Sequence, residues 1–307
     1  MDYSALLNKM FIFLVLMVIG YIMVRRGKID RATARLMSSL TLNVFLIGSI
    51  LNSVLNTQAE LSWAELGRVC LVVWVMQALG YLIAFPAAKL ARVGKEKESS
   101  FELLMSMGNT IFVGMPIVDA LFPGTNALFY VSLSCLPYNV LLFTYGAWRL
   151  QNGREGGRIR FRDILSIPLL AALTALVLFI FKPPIPAAFR GLISTLAGAT
   201  TPLSMLVIGA SLGTVSLLDA FRSGKLYLAS FFRLLVIPLL TWLVLGLLTD
   251  DPVLLMTMVI IAGCPSAVVV TMMSYQYGRD PVYTAEGTLQ STLLSMLTIP
   301  VLVWLLA

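Results

Sequence analysis

Apolar stretches of about 20 residues, enough for a transmembrane helix, recur along the whole chain between short polar or basic breaks. A helix of that length spans the hydrocarbon core of a bilayer, which is about 30 Å thick. The pattern predicts an all-α membrane protein with ten transmembrane helices, which we number as spans one to ten. Their predicted bounds are 5–24, 34–55, 66–88, 101–121, 126–148, 163–181, 190–213, 224–248, 252–275 and 283–306.

Two of these spans contain residues that weaken a helix, and they do so at corresponding places. Span four contains GNTIFVGMP, which begins at Gly108, and span nine contains GCPSAVV, which begins at Gly263, 155 positions later. A single break of this kind is explained by close helix packing or by a kink. Two breaks at matched positions favour a different interpretation, because broken helices in a bilayer are tolerated only where they face protein or a wet cavity.

A constant offset relates the two halves of the chain. Gly124 and Gly278, which follow the broken parts of spans four and nine, are 154 positions apart. Each half holds five spans, and because five is odd the second half must lie upside down relative to the first. The prediction is two inverted five-helix repeats, residues 1–150 and 163–307, joined by a basic cytoplasmic linker at 151–162, with discontinuous helices four and nine crossed near the midplane.

The positive charges follow the same alternation. Of the 22 Lys and Arg, 17 lie in the odd-numbered loops, whereas the even-numbered loops carry acidic residues. The positive-inside rule makes the odd loops cytoplasmic and places both termini on the extracytoplasmic side. This distribution also explains the net charge of +7 without a nucleic-acid partner.

The composition excludes several classes of function. Hydrophobic residues make up 59% of the chain and charged residues 12%, with a mean hydropathy of +0.90, so no soluble domain of normal size is expected. The chain contains no histidine and no GxxxxGK[ST] loop, which argues against a Ser/His hydrolase, a His-ligated metal site and ATP-driven transport. Cys70, Cys135 and Cys264 lie in apolar stretches at unrelated spacings. We therefore expect no enzymatic activity, cofactor or metal.

Several stretches resemble the auxin efflux carrier family of bacteria, relatives of the plant PIN auxin carriers. They are GNTIFVGMPIVDALFP in span four, PYNVLLFTYG in span five, TPLSMLVIGASLG in span seven, and CPSAVVVTMMSYQYGRDP followed by STLLSMLTIP in spans nine and ten. The resemblance covers nearly the whole chain, with the motifs in the family's order.

The resemblance implies a fold akin to the bile-acid symporters and sodium/proton antiporters. Spans one, two, six and seven would form a scaffold, and spans three to five and eight to ten a moving transport domain. Relatives carry organic anions such as auxin, malate or malonate, and they suggest a homodimer through the scaffold spans. A multi-pass protein of the bacterial inner membrane is expected, with proton or sodium coupling left open.

Two departures from the family pattern concern helix breaks. Many relatives have a proline in span two, where this chain has Ile47 and Gly48, and many have a proline before the span-four asparagine, where this chain has Gly108. These departures bear on how a substrate is held rather than on the fold.

The candidate site residues follow from the breaks and from the resemblance. Half-helices that begin at a crossing present unpaired N–H groups with a partial positive charge, which suit an anion. Asn109 and Pro265 match the family's residues at the two breaks, and Asn139 lies in the span-five motif. The predicted substrate-binding residues are Gly108, Asn109, Thr110, Asn139, Pro265 and Ser266.

Three further polar residues within the spans are candidates for coupling or gating. Arg233, about 12 Å into span eight at the helical rise, either raises the potential for an anion or pairs with Glu286 or Glu102. Glu286 and Gln290 share one face of span ten, as a proton-coupling and substrate-facing row or as the lining of a vestibule.

The sequence thus predicts a secondary active transporter of small organic anions that works by alternating access. A receptor without transport activity or a channel-like protein is the alternative. Neither the substrate nor the direction of transport follows from the residues.

Overall fold

The computed structural model describes residues 3–55, 62–151, 167–213 and 217–306. Within these ranges the regular structure is helical, and no strand is present. The predicted linker falls almost wholly outside the described residues, as do the first residues of predicted span six.

The helices of the first half run from α1 to α8. Their bounds are α1 Tyr3–Arg25, α2 Arg31–Leu40, α3 Leu46–Leu55, α4 Trp63–Ala91, α5 Lys95–Ser106, α6 Met115–Leu121, α7 Ala127–Leu141 and α8 Ala147–Gln151. Short π-helical turns join α2 to α3 and α7 to α8, and a third leads into α6. They are Thr41–Phe45, Leu142–Gly146 and Thr110–Gly114.

The second half continues with α9 to α16. The bounds are α9 Ile167–Phe181, α10 Ala187–Leu212, α11 Leu217–Arg222, α12 Gly224–Phe231, α13 Ile237–Leu245, α14 Pro252–Ala262, α15 Val268–Gln276 and α16 Pro281–Leu306. The π-helical turn Phe232–Val236 joins α12 to α13.

Six helices of the described ranges are long and apolar enough to cross a membrane. These are Ala32–Leu55, Trp63–Ala91, Ala127–Gln151, Ala187–Ala210, Gly224–Leu245 and Pro281–Leu306. Shorter apolar helices lie at Phe11–Arg25, Thr110–Leu121, Leu170–Phe181 and Pro252–Ala262. The chain is therefore a multi-pass membrane protein, and its exposed leucine, valine, phenylalanine and tryptophan side chains are those expected to face lipid.

Glycines allow α1, α3 and α10 to approach closely. A Cβ atom added to Gly20 would overlap the carbonyl oxygen of Leu206, and one added to Gly209 would overlap that of Met17. A Cβ atom on Gly48 would lie 2.5 Å from Cβ of Leu196. Gly48 is one of the two residues that stand where many relatives have a proline in span two. Here its missing side chain lets α3 pack against the backbone of α10, as small residues do in membrane helix packing.

A buried ion pair ties α5 to α8. The side chain of Glu102 is fully buried and accepts hydrogen bonds from Arg149 Nε at 2.7 Å and from the Tyr145 hydroxyl at 2.6 Å. Arg149 also reaches Glu98 at 3.2 Å. Arg149 is one of the 17 basic residues assigned to the odd-numbered loops from the sequence, but it lies within α8 and is 7% exposed. Removing one partner of such a pair leaves an uncompensated buried charge, which typically destabilises a fold by about 3–5 kcal/mol.

Candidate substrate site at the helix crossing

The predicted interruptions of spans four and nine are present, and the two breaks lie against each other. Helix α5 ends at Ser106 and α14 ends at Ala262. Gly108 and Ser266 form an isolated antiparallel bridge, the only contact of this kind within the described ranges. The two breaks therefore meet in space although they are 155 residues apart in the chain.

Some of the backbone groups freed by the two breaks pair with each other at the place where the breaks meet, which we call the crossing. The N–H group of Asn109 donates to the carbonyl oxygen of Pro265 at 2.7 Å, and the N–H group of Ala267 donates to that of Met107 at 2.9 Å. This pairing reduces the cost of breaking two helices in an apolar environment. The sequence predicts free backbone groups at the breaks, and the structure shows that several of these groups pair with each other.

Arg233 binds the carbonyl ends of both broken helices. Its side chain is 3% exposed. The guanidinium donates from Nε to Cys264 O at 2.7 Å and from Nη2 to Ile261 O at 3.1 Å. From Nη1 it donates to Met105 O and to Ser106 O, each at 3.3 Å. Carbonyl groups in the last turn of a helix lack partners within that helix, and this one cation binds such groups of α5 and α14 together with the carbonyl of Cys264, two residues beyond α14.

Of the two alternatives predicted for Arg233, the one in which it pairs with Glu286 or Glu102 is therefore wrong. The carboxylate of Glu102 is bound by Arg149 and Tyr145. Glu286 is half-buried near the start of α16, where its charged neighbours are Asp219, Asp280 and Lys97. A carboxylate is the usual partner of a buried arginine, but here four backbone carbonyl oxygens bind the guanidinium instead.

The guanidinium of Arg233 requires a glycine at position 108. A Cβ atom added to Gly108 would overlap Nη2 of Arg233 and would lie 2.7 Å from Cζ. A proline ring, which also carries a Cβ atom, would meet the same obstacle. The structure thus explains why this chain has Gly108 where many relatives have a proline.

A π-helical turn carries Arg233, and another opens the second part of span four. The turns Phe232–Val236 and Thr110–Gly114 are each followed two residues later by a proline, Pro238 and Pro116. Proline lacks the N–H group for an α-helical hydrogen bond, and π-helical turns concentrate at functional sites.

Ser266 is used to fix the span-nine break. Its hydroxyl donates to Leu104 O at 2.6 Å, and its N–H group donates to the hydroxyl of Ser291 at 3.1 Å. Ser291 belongs to α16, so the break is held by α5 on one side and by α16 on the other. The predicted site set omits Ser291, although its position one residue after Gln290 on span ten was visible in the sequence.

Asn109 carries the clearest unsatisfied polar group at the crossing. Its side chain is 4% exposed, and its Oδ1 accepts a hydrogen bond from the Phe112 N–H group at 3.4 Å. Its Nδ2 has no hydrogen-bond partner in the part of the chain that the structure describes. A buried donor left unpaired costs about 1–3 kcal/mol. An acceptor supplied by a solute would remove that cost.

The remaining predicted residues occupy different places. Thr110 is buried in the turn directly after Asn109. Asn139 is buried in α7, where its Nδ2 donates to Cys135 O at 2.8 Å. Gln290 accepts from the Ser230 hydroxyl at 3.1 Å and donates to Ala220 O at 3.1 Å. Both ends of its amide therefore join α16 to α12 and α11, rather than pointing toward a solute.

A cavity of about 190 Å³ lies beside the broken span four, between α6 and α7 on one side and α3 and α10 on the other. Its wall contains hydroxyl, amide and carboxylate groups and reaches Pro116 of the span-four motif. The lining residues are Ser49, Asn52, Met115, Pro116, Asp119, Leu128, Ser194, Ala197, Gly198, Thr200 and Thr201. This cavity could not be predicted from the sequence, because its walls come from four segments that are distant in the chain.

Comparison with known proteins agrees with a transport function. A family model described as "Membrane transport protein" matches residues 5–160 and again 156–303. An uncharacterized transporter of Methanocaldococcus jannaschii is 22% identical over 309 residues, which cover 98% of each chain. An uncharacterized transporter of Methanothermobacter thermautotrophicus is 25% identical over 294 residues, 94% of each chain.

These matches identify the chain as a membrane transport protein. The chain belongs to the membrane transport protein family, which is the auxin efflux carrier family that the span motifs resemble.

Replacing Gly108 with alanine should destabilise the crossing. The added methyl group would displace the Arg233 guanidinium from the carbonyls it binds, and overpacking of this kind costs about 1–3 kcal/mol. We expect a clear fall in the Tm of the purified protein in detergent. Gly67→Ala is the matched control, because Gly67 is an exposed glycine of α4 with nothing within 4 Å of the added atom. Equal Tm values for the two variants would contradict the proposed close contact.

Proposed function

We propose that the protein is a secondary active transporter that carries small organic anions by alternating access. The observation that carries the proposal is the buried, unpartnered Nδ2 of Asn109 at a crossing where two broken helices meet. A carboxylate oxygen is an acceptor that suits such a donor, and hydrogen bonds to a charged group are the stronger ones.

The electrostatics of the four half-helix ends support an anion. Arg233 binds the carbonyl ends of α5 and α14, which carry the partial negative charges. The apolar helix Thr110–Leu121 and α15 both begin at the crossing. Their first N–H groups carry partial positive charges and favour a negatively charged solute.

The order of helices supports ten spans in two inverted repeats. The six long apolar helices and the four shorter ones follow one another in the order of the ten predicted spans, and the succession of short and long helices in the first half is the same in the second. The family model matches once over each half. In this arrangement the break between α5 and α6 corresponds to the break between α14 and α15.

We assign α1, α2, α3, α9 and α10 to a scaffold and the other helices to a transport domain. The glycine contacts of α1 and α3 with α10 support a rigid scaffold. The Glu102–Arg149 pair supports a rigid first half of the transport domain. The cavity beside Pro116 lies at the boundary between the two groups of helices, where alternating access requires a solute path. It would form a vestibule on the extracytoplasmic side.

In the cell, the protein would lie in the inner membrane of a bacterium with both termini outside the cytoplasm, and would pair through the scaffold as a homodimer. Coupling to a proton or a sodium ion stays a prediction, with Glu286 the candidate proton carrier.

Replacing Asn109 with alanine should strongly reduce carboxylate uptake by proteoliposomes. A hydrogen bond to a charged group contributes about 1.5–3 kcal/mol, which corresponds to a loss of about 10-fold or more in transport efficiency. Asn43→Ala is the control, because Asn43 is exposed in the first π-helical turn and binds only the nearby Ser39 among the contacts described. Unchanged uptake by the Asn109 variant, with normal yield and folding, would remove Asn109 from the site.

Reporter fusions test the proposed orientation. Alkaline phosphatase fused after residue 306 should be active and green fluorescent protein at the same place should be dark, because the positive-inside rule places this end outside the cytoplasm. Fusions after Val93, in the third loop, should give the opposite pattern. A fluorescent fusion at the C-terminal end would overturn the ten-span orientation.

A further inference from the structure

We propose that Arg233 sets the charge of the transported solute without contacting it, so that the crossing selects a monoanion over a dianion and over a neutral analogue. This inference rests on the proposed function and narrows its substrate class: among the solutes that the family resemblance suggests, it favours a monocarboxylate such as auxin over dicarboxylates such as malate or malonate. It makes Arg233 a positioning and specificity-determining residue rather than a substrate ligand.

The hydrogen bonds that Arg233 makes to the backbone leave few of its N–H donors free to bind a solute. A guanidinium has five N–H donors, and in the structure its three nitrogens make four hydrogen bonds to backbone carbonyl oxygens. The acceptors lie in α5 and at the end of α14, and they are Met105, Ser106, Ile261 and Cys264. A Cβ atom added to Gly108 would overlap the same guanidinium, so no space is left on that side either. A bidentate pair with a carboxylate would require most of these contacts to break.

The charges at the crossing sum to one positive charge. A helix end carries about half an elementary charge, negative at the carbonyl end and positive at the N–H end. Two helices end at the crossing and two begin there, so their partial charges cancel. The cation of Arg233 then remains. The nearest acid on α5 is Glu102, and its charge is already balanced by Arg149.

The position of Arg233 determines where in the crossing the electrostatic potential is positive. Because the guanidinium binds the carbonyl ends, it neutralises the two partial negative charges, and the N–H ends beside Asn109 keep their positive potential. One carboxylate balances the site. A second carboxylate would be a buried charge without a partner, which is strongly unfavourable, and a neutral amide would leave the positive charge uncompensated.

Arginine rather than lysine is needed for the geometry but not for the charge. The planar fork of a guanidinium reaches carbonyl groups on two different half-helices, whereas a lysine ammonium is a compact point charge. Charge and geometry can therefore be separated by substitution. Arg233→Lys keeps the charge and loses the fork, and Arg233→Gln loses both.

The test compares solutes of similar size and different charge on the purified protein at pH 7.5. The solutes are butyrate, butyramide and succinate, together with phenylacetate and phenylacetamide. Binding is measured from the concentration dependence of the rise in Tm. For the wild-type protein we expect each monocarboxylate to bind at least 10-fold more tightly than its amide, and butyrate at least 10-fold more tightly than succinate.

The variants separate an electrostatic role from a structural one. In Arg233→Gln the preference for the monocarboxylate over its amide should fall to within about 3-fold, whereas Arg233→Lys should keep most of the preference despite a lower Tm. Lys225→Gln is the control. Lys225 also donates to backbone carbonyls, those of Ala91 and Arg92, but it is exposed and lies outside the crossing. Its removal should leave the preference unchanged.

Either of two outcomes would overturn the inference while leaving the proposed function intact. These are tighter wild-type binding of succinate than of butyrate, or an unchanged preference in Arg233→Gln. The comparison of butyrate with succinate on the wild-type protein tests the inference even if Arg233→Gln does not fold. If the wild-type protein binds and transports none of the carboxylates, the proposed function itself fails, and the inference fails with it.

Discussion

The contact on which the site depends is the one between the Arg233 guanidinium and the carbonyl ends of two broken helices. A bilayer offers no water to satisfy such carbonyls, so a chain that breaks two helices inside it must supply partners of its own. One arginine supplies four hydrogen bonds to α5 and α14. The bridge between Gly108 and Ser266 supplies further pairing between the two breaks.

Other features of the chain follow from that contact. Position 108 must be a glycine because the guanidinium occupies the space of a side chain. Ser266 and Ser291 fix the second break against α5 and α16. Among the side chains described at the two breaks, Asn109 keeps a buried Nδ2 without a hydrogen-bond partner. The same arrangement that stabilises the crossing thus leaves one buried donor in a positively charged environment, which is the physical basis of the proposed preference for an organic anion.

The breaks themselves could be predicted from the sequence, because glycine, asparagine and proline weaken a helix wherever they stand in an apolar run. The partner of Arg233 could not. From the sequence, Glu102 and Glu286 are the natural partners for Arg233 because they carry the opposite charge. Backbone carbonyl oxygens at a helix end become candidates only when the positions of the helices in space are known. For Gln290 the sequence left two alternatives open, a substrate-facing row and the lining of a vestibule, and in the structure its amide is bound by groups of α11 and α12. The cavity beside Pro116 could not be foreseen either, since its walls come from helices far apart in the chain.

The most direct test of this mechanism is an experimental structure of the protein with a bound monocarboxylate. We expect a carboxylate oxygen about 3 Å from Nδ2 of Asn109, a normal hydrogen-bond distance, with the Arg233 guanidinium still bound to the carbonyl oxygens at both breaks. A carboxylate bound directly to a guanidinium that has left those carbonyls would contradict the mechanism.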